Sequence, residues 1–335
     1  MTRLHSSTLV RWLDSLASHD GSHHDQDLQA LLPTGATADL RAFSAWFPPV
    51  FATSYLELRL GADADAVDWL VALSEAECRR FLSALDAEHE TPPGVGQRAW
   101  QRALEFCRRW TADDASSPRS FVSALLLQFD RPDVVDPRDP GVFMRLRRAP
   151  HRDEVVAAIA PLQPGHYARW HRAALSEALE ALATHGKLIQ FGTMARSLTP
   201  DARLHVTLPR TELRSTLRAL FPREQLDERP ELAILERGPD WLDLQLQVSE
   251  WLVPSIGIEA SFRNQPESAV HYRSWLAPLV QQELCSEGKL EALLALTSSS
   301  EPAPRCELSH VKVTVAQGVA ASVKAYVGLS EQNPS

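Results

Sequence analysis

The sequence predicts an α+β protein in which mostly antiparallel sheets are covered by helices. Three observations lead there. Several stretches alternate apolar and polar residues with period two, the mark of a strand with one buried face. These include SYLELRL (residues 54–60), WLDLQLQV (241–248), SIGIEASF (255–262), SHVKVTV (309–315) and VKAYVGL (323–329). Neighbouring strands are joined by short turns, which only antiparallel neighbours permit. The remaining long segments repeat their apolar residues at helical spacing. The order strand, helix, helix, strand occurs twice, from SYLELRL to SALLLQFD and from SIGIEASF to SHVKVTV. Two similar halves are therefore expected, residues 1–160 and 161–335, with PLQPG (161–165) at the boundary and a β-hairpin closing the second half.

In chain order, a first helix is expected from Ser7 to Ala17, followed by the polar loop SHDGSHHDQD (18–27). After the strand SYLELRL, Ser74-Glu75-Ala76-Glu77 has the form of a capping box opening a helix with Cys78, Phe81, Leu82 and Leu85 on one face. HETPPGVG is a loop before a second helix carrying Trp100, Leu104, Cys107 and Trp110. SFVSALLLQFD (120–130) and VFMRLRR (142–148) are strands around a proline-rich loop. A helix from His166 to Thr184 ends at Gly186, and KLIQFGTMARS and ARLHVTL are strands joined by a Leu-Thr-Pro-Asp turn. TELRSTLRALF is a helix stopped at Pro222, SAVHYRSWLAPLVQQEL is a helix kinked or broken at Pro278, and SEGKLEALLAL is a short helix before the closing hairpin.

Composition narrows the function. Hydrophobic residues make up 44% of the 335 and charged residues 23%, as in a packed globular protein. The net charge of −9 opposes general nucleic-acid binding. No apolar run approaches a membrane span, and the N-terminus does not read as a signal peptide. The four cysteines, Cys78, Cys107, Cys285 and Cys306, have neither metal-site nor C-x-x-C spacing. They read as reduced thiols of a cytoplasmic protein.

Catalytic motifs are absent. GVGQRA (94–99) follows a loop rather than a strand, so it is not a dinucleotide fingerprint. His151 and Asp153 have the H-x-D spacing of iron oxygenases, but Asp153 stands where a helix cap is needed. The loop with His19, His23, His24, Asp25 and Asp27 lacks rigid metal-ligand spacing. No catalytic residue, metal ligand or cofactor is assigned on these grounds.

Candidate binding residues come from the strand faces. In the closing hairpin His310, Lys312 and Thr314 share one face, and Ser322, Lys324 and Tyr326 share another. Pairing through the Ala-Gln-Gly turn brings these faces together, giving His310, Lys312, Lys324 and Tyr326 as a cluster. Neighbouring strands add Arg203, His205 and Glu259, while Arg145 and Arg147 share a face of the strand 142–148. Such a face is either solvated or a concave binding surface. Two lysines opposite each other repel unless water or an anion separates them, and a carboxylate, a diphosphate or Glu259 would serve.

The elements GTMARS…ARLHVTLP, SIGIEASF and SHVKVTV…VKAYVGL, spanning residues 187–329, resemble peptide-binding proteins of bacterial gene clusters for ribosomally made, modified peptides, of the crocagin-pathway type. The resemblance implies a non-catalytic accessory protein. It would hold a precursor peptide for tailoring enzymes of the same cluster, by adding the peptide to a sheet edge, and a homodimer would fit that role. Some of the nine tryptophans would anchor the guest, while Trp69, Trp100, Trp110 and Trp275 fall on apolar helix faces. The alternatives are a prenyltransferase-like enzyme with Lys312, Lys324 and Tyr326 as a diphosphate site inside a barrel, or a structural subunit of a complex. Four tyrosines are few for shielding a carbocation.

Overall fold

The computed structural model describes residues 8–18, 29–32, 35–45, 47–48, 52–62, 66–87, 98–114, 117–130, 140–163, 168–194, 201–263, 267–298, 305–317 and 319–330. The polar loop 18–27, apart from Ser18, the G-x-G-x-x-A stretch up to residue 97 and the proline-rich loop 131–139 lie outside them.

Helices α1 (Thr8–Ser18) and α2 (Ala36–Ser44) precede strands β1 (Thr53–Arg59) and β2 (Val67–Leu73). Then come α3 (Glu75–Ala87), α4 (Arg98–Thr111), β3 (Val122–Asp130) and β4 (Gly141–Leu146). The pattern continues with α5 (Arg152–Ile159), α6 (Ala168–Leu182), β5 (Lys187–Met194) and β6 (Ala202–Pro209). It repeats through α7 (Leu213–Leu220), α8 (Leu232–Leu235), β7 (Trp241–Val248) and β8 (Leu252–Ala260). It ends with α9 (Ser268–Gln281), α10 (Glu287–Ser298), β9 (Arg305–Ala316) and β10 (Val319–Ser330).

The expected helix-covered sheets are corrected here. The strands form one closed antiparallel barrel in the order β1-β10-β9-β8-β7-β6-β5-β4-β3-β2. β4 pairs with β5, with Arg145 opposite Gln190, so the sheet runs straight through the expected division into two halves. β1 pairs with β10, with Glu57 opposite Tyr326 and Arg59 opposite Lys324, and this closes the cylinder. The repeating unit is a hairpin preceded by a helix pair. A closed sheet has no free edge, so the expected edge-strand addition has no place to occur.

Local chemistry explains most elements. Ser74 and Glu77 make the expected capping box: the Ser74 amide donates to Glu77 Oε2 (2.7 Å) and the Glu77 amide to Ser74 Oγ (3.3 Å). The cap of α5 is His151 rather than Asp153; its amide donates to Glu154 Oε2 (2.7 Å). The helix α9 runs on through Pro278 and ends at Gln281. Strand β2 has no counterpart among the expected elements. VDWLVAL is buried on both faces, so it lacks the alternation that betrays a strand. Trp69 accordingly sits on a strand, not a helix.

The hydrophobic core lies outside the barrel, between its outer face and the helices. The apolar sets of the hairpin, Val311, Val313 and Val315 with Val323, Ala325 and Val327, are all buried there. An aromatic cluster ties α2, α3 and α4 to β2 and β3. The Phe43 ring meets Trp69 edge-on at 6.1 Å, and Phe47 lies 5.1 Å from Phe129 and 6.0 Å from Trp100. Polar residues are thereby left facing the lumen, and a ten-stranded barrel is wide enough to leave space there.

Candidate active site

The lumen holds a cavity of about 550 Å³. Its lining comes from the starts of β1, β7 and β9 (Tyr55, Trp241, Ser309) and the ends of β4 and β8 (Arg145, Leu146, Ser261, Arg263). The cavity therefore opens where helices join the strands, and the hairpin turns lie at the other end. Trp241 stands at the mouth and is 60% exposed.

The hairpin register places Lys312 opposite Lys324 and His310 opposite Tyr326. All four side chains turn into the lumen. The anion between the lysines is Glu57 of β1, which the expected site did not include. Lys324 Nζ donates to Glu57 Oε1, and the Tyr326 hydroxyl donates to Glu57 Oε2 (2.5 Å). Lys312 Nζ donates in turn to the Tyr326 hydroxyl, and to Gln245 Oε1 at 3.3 Å. Lys312 is 3% exposed and Glu57 1%. Burial alone would raise the Glu57 carboxyl, but Lys312, Lys324 and the Tyr326 hydroxyl hold it well below the usual carboxylate range. Burial pushes the Lys312 ammonium down, against Glu57, and pushes the Tyr326 phenol well above its ordinary value, with Glu57 adding to the shift.

Gly257 makes room for this arrangement. A Cβ there would stand 2.8 Å from Lys312 Cδ and 3.2 Å from Gln245 Cβ, so a side chain at this position would push the lysine stem from its path across β8.

A second group surrounds Glu259. His205 Nδ1 lies 3.8 Å and His310 Nε2 3.7 Å from Glu259 Oε2. Burial opposes the Glu259 charge, but His310, His205 and Lys312 outweigh it and hold the carboxyl at about 2. Burial pushes the His310 imidazole down to about 4, against the pull of Glu259. The His310 ring stacks on Tyr326 with centroids 4.1 Å apart. Gln245 orders the group. Its Oε1 accepts from Lys312 and from Arg203 Nη1 (3.3 Å each), so its Nε2 donates to His205 Nε2 at 3.0 Å. Arg203 Nε is buried without a hydrogen-bond partner among the described residues. Asp243, opposite Glu259 on β7, is raised by burial and by the Glu259 charge, against a hydrogen bond from Thr207.

Of the expected residues, His310, Lys312, Lys324, Tyr326, Arg203, His205 and Glu259 share the lumen, and Arg145 lines the cavity mouth. Arg147 does not join them. It lies beyond the end of β4, exposed, with Nε donating to the Val122 carbonyl at 3.2 Å. Glu57, Gln245, Phe143, Gln128 and Trp241 complete the site. Period two in SYLELRL and WLDLQLQV placed Glu57 and Gln245 on polar faces, but nothing local connects them to the hairpin.

A scan against protein-family models finds no match, and no curated protein matches the sequence. Solved structures do match over nearly the whole chain. Apo prenyltransferase PriB superposes with a TM-score of 0.60 at 13% identity, covering 96% of this chain and 99% of that one. AnaPT from Neosartorya fischeri gives 0.58 at 13%, covering 98% and 94%. The 5-dimethylallyltryptophan synthase from Streptomyces coelicolor gives 0.56 at 13%, covering 98% of both. The likeness is one of fold, a closed barrel of strands and helix pairs. Such a barrel offers no sheet edge to an extended peptide, and this overturns the expected non-catalytic peptide holder.

Proposed function

We propose that this chain is an enzyme of the prenyl-transfer type, which joins an allylic diphosphate to an aromatic acceptor inside the barrel. The observation that carries the reading is the lumen, where Lys312, bonded to Tyr326 and Gln245, and Arg203, bonded to Gln245, lie against side chains that line the open-mouthed cavity of about 550 Å³. The fold match supports it. PriB has been crystallised with L-tryptophan and dimethylallyl thiolodiphosphate, and with product diphosphate, and these forms superpose on this chain with TM-scores of 0.57 and 0.58.

On this reading Lys312 and the unpartnered Nε of Arg203 receive the diphosphate, since Glu57 already neutralises Lys324. Fixed donors there stabilise the charge that develops as the C–O bond breaks. The faces of Tyr326 and Phe143 attract the allylic cation; Lys312 Nζ already lies 5.0 Å from the Tyr326 ring centroid. Trp241 and Tyr55 at the mouth stack on the acceptor. The unbonded cysteines fit a cytoplasmic setting.

The test is label transfer from dimethylallyl and geranyl diphosphate to a panel of indoles and phenols, with calorimetric titration of inorganic diphosphate. Product formation with a diphosphate affinity that falls in a Lys312→Met variant supports the reading. Absence of both diphosphate binding and transfer overturns it.

A further inference from the structure

Prenyl transfer requires that the aromatic acceptor lose a hydrogen as a proton, and a group in the lumen must take it. Glu57 is already engaged by Lys324 and Tyr326. The His205 Nε2 lone pair accepts from Gln245, leaving its Nδ1–H toward Glu259. His310 is different. Its Nε2 faces Glu259 at 3.7 Å and its Nδ1 lies 3.2 Å from Ser309 Oγ. A carboxylate opposite Nε2 favours the proton on that nitrogen, which leaves the lone pair on Nδ1, beside the serine hydroxyl.

Resting on the prenyl-transfer reading, we propose that Ser309, His310 and Glu259 form a proton-accepting relay at the cavity mouth, which takes the hydrogen that the aromatic acceptor gives up. A serine and the histidine that follows it point to opposite faces of a regular strand. Here a β-bulge removes the obstacle. His310 pairs with Tyr326 and Leu308 with Val327, so Ser309 is the additional residue of β9. Its carbonyl accepts from Ser261 Oγ (2.6 Å) and the Tyr272 hydroxyl (3.3 Å), which pins the bulge from β8's end and from α9. Ser309, His310 and Glu259 all line the cavity.

The step balances as follows in atoms and electrons. The acceptor's ring carbon bonds to the allylic carbon while the C–O bond breaks and diphosphate leaves with the electron pair. The ring C–H pair then restores aromaticity, and its proton passes to Ser309 Oγ as the serine's own proton passes to His310 Nδ1. Glu259 pairs with the resulting imidazolium. The charged and titratable groups facing His310 are Glu259 of β8, His205 of β6, Lys312 of its own strand, Glu57 of β1 and Tyr326 of β10, which stacks on its ring. Burial keeps the imidazole neutral at pH 7, so it does not repel the allylic cation.

Two measurements decide the relay. The first is the ¹⁵N spectrum of wild-type His310 at pH 7. Nε2 protonated and Nδ1 bare supports the relay, with tautomers mixing in Glu259→Gln; a protonated Nδ1 overturns it. The second uses dimethylallyl diphosphate and L-tryptophan as probes. His310→Gln should lower the rate of transfer by about 100-fold and Ser309→Ala by about 10-fold, with unchanged donor affinity. A primary deuterium isotope effect on the departing ring hydrogen should appear in both. Unchanged transfer in the two variants sinks the relay. A wild type that neither binds nor consumes the donor sinks the prenyl-transfer reading and the relay with it, whereas a wild type that transfers the prenyl group with Nδ1 of His310 protonated sinks the relay alone.

Discussion

Replacing Glu57 by Gln removes the carboxylate that lies between Lys312 and Lys324 while keeping its shape. The structure fixes the cost. Glu57 is 1% exposed, is ion-paired with Lys324, and accepts the Tyr326 hydroxyl at 2.5 Å. Uncompensating a buried charge costs roughly 3–5 kcal/mol, and the 21% exposure of Lys324 argues for the lower end. Unfolding entropy of about 2.1 cal/mol/K per residue over 335 residues gives about 0.7 kcal/mol/K, so Tm falls by about 4–7 °C at pH 7. The pH dependence has a definite sign. A carboxylate whose folded value is depressed stabilises above its unfolded value of about 4.3, and that contribution fades as pH falls toward the folded value. The Tm gap between wild type and Glu57→Gln should therefore be full at neutral pH and shrink below about pH 4.3. Inorganic diphosphate should raise the variant's Tm more than the wild type's, because it supplies the missing negative charge. Calorimetric melts with and without diphosphate test both points. A variant that melts within 1 °C of wild type at pH 7, a margin well inside the roughly 4 °C expected, would refute the idea that Glu57 holds the lysines together.

Three further outcomes are expected. Lys312→Met keeps the buried stem and removes a charge that burial already disfavours, so Tm should hold or rise while diphosphate affinity falls, as melts and titration would show. Gly257→Ala places a methyl 2.8 Å from Lys312 Cδ, so it should cost about 1–3 kcal/mol and weaken diphosphate binding through displacement of the lysine, read by denaturant unfolding and calorimetry. His310, held at about 4 by burial, makes the folded state bind fewer protons than the unfolded one between about pH 6.5 and 4. Wild-type stability should then drop by up to about 2–3 kcal/mol from pH 6.5 to 4.5, above the range where the buried glutamates contribute, and His310→Gln should flatten that slope in urea titrations.

The sequence by itself determined the faces. Period two in SHVKVTV and VKAYVGL separated His310, Lys312, Lys324 and Tyr326 from the valines, and the short turn put the two polar sets together. Capping at Ser74 and the helical apolar stripes were equally local, hence equally legible. Strand β2 was hidden because both of its faces are buried, which erases the alternation that period two detects. Tertiary structure alone decided what the polar faces look at. An open sheet with one face in water and a closed barrel with a polar lumen impose the same alternation on each strand, so the pattern cannot distinguish them. Closure required β1 to meet β10, and that contact brought Glu57 to Tyr326 across 269 residues of sequence. Only then did two lysines that would repel each other on an open hairpin become neighbours inside the barrel, because the counter-ion that permits them comes from the far end of the chain.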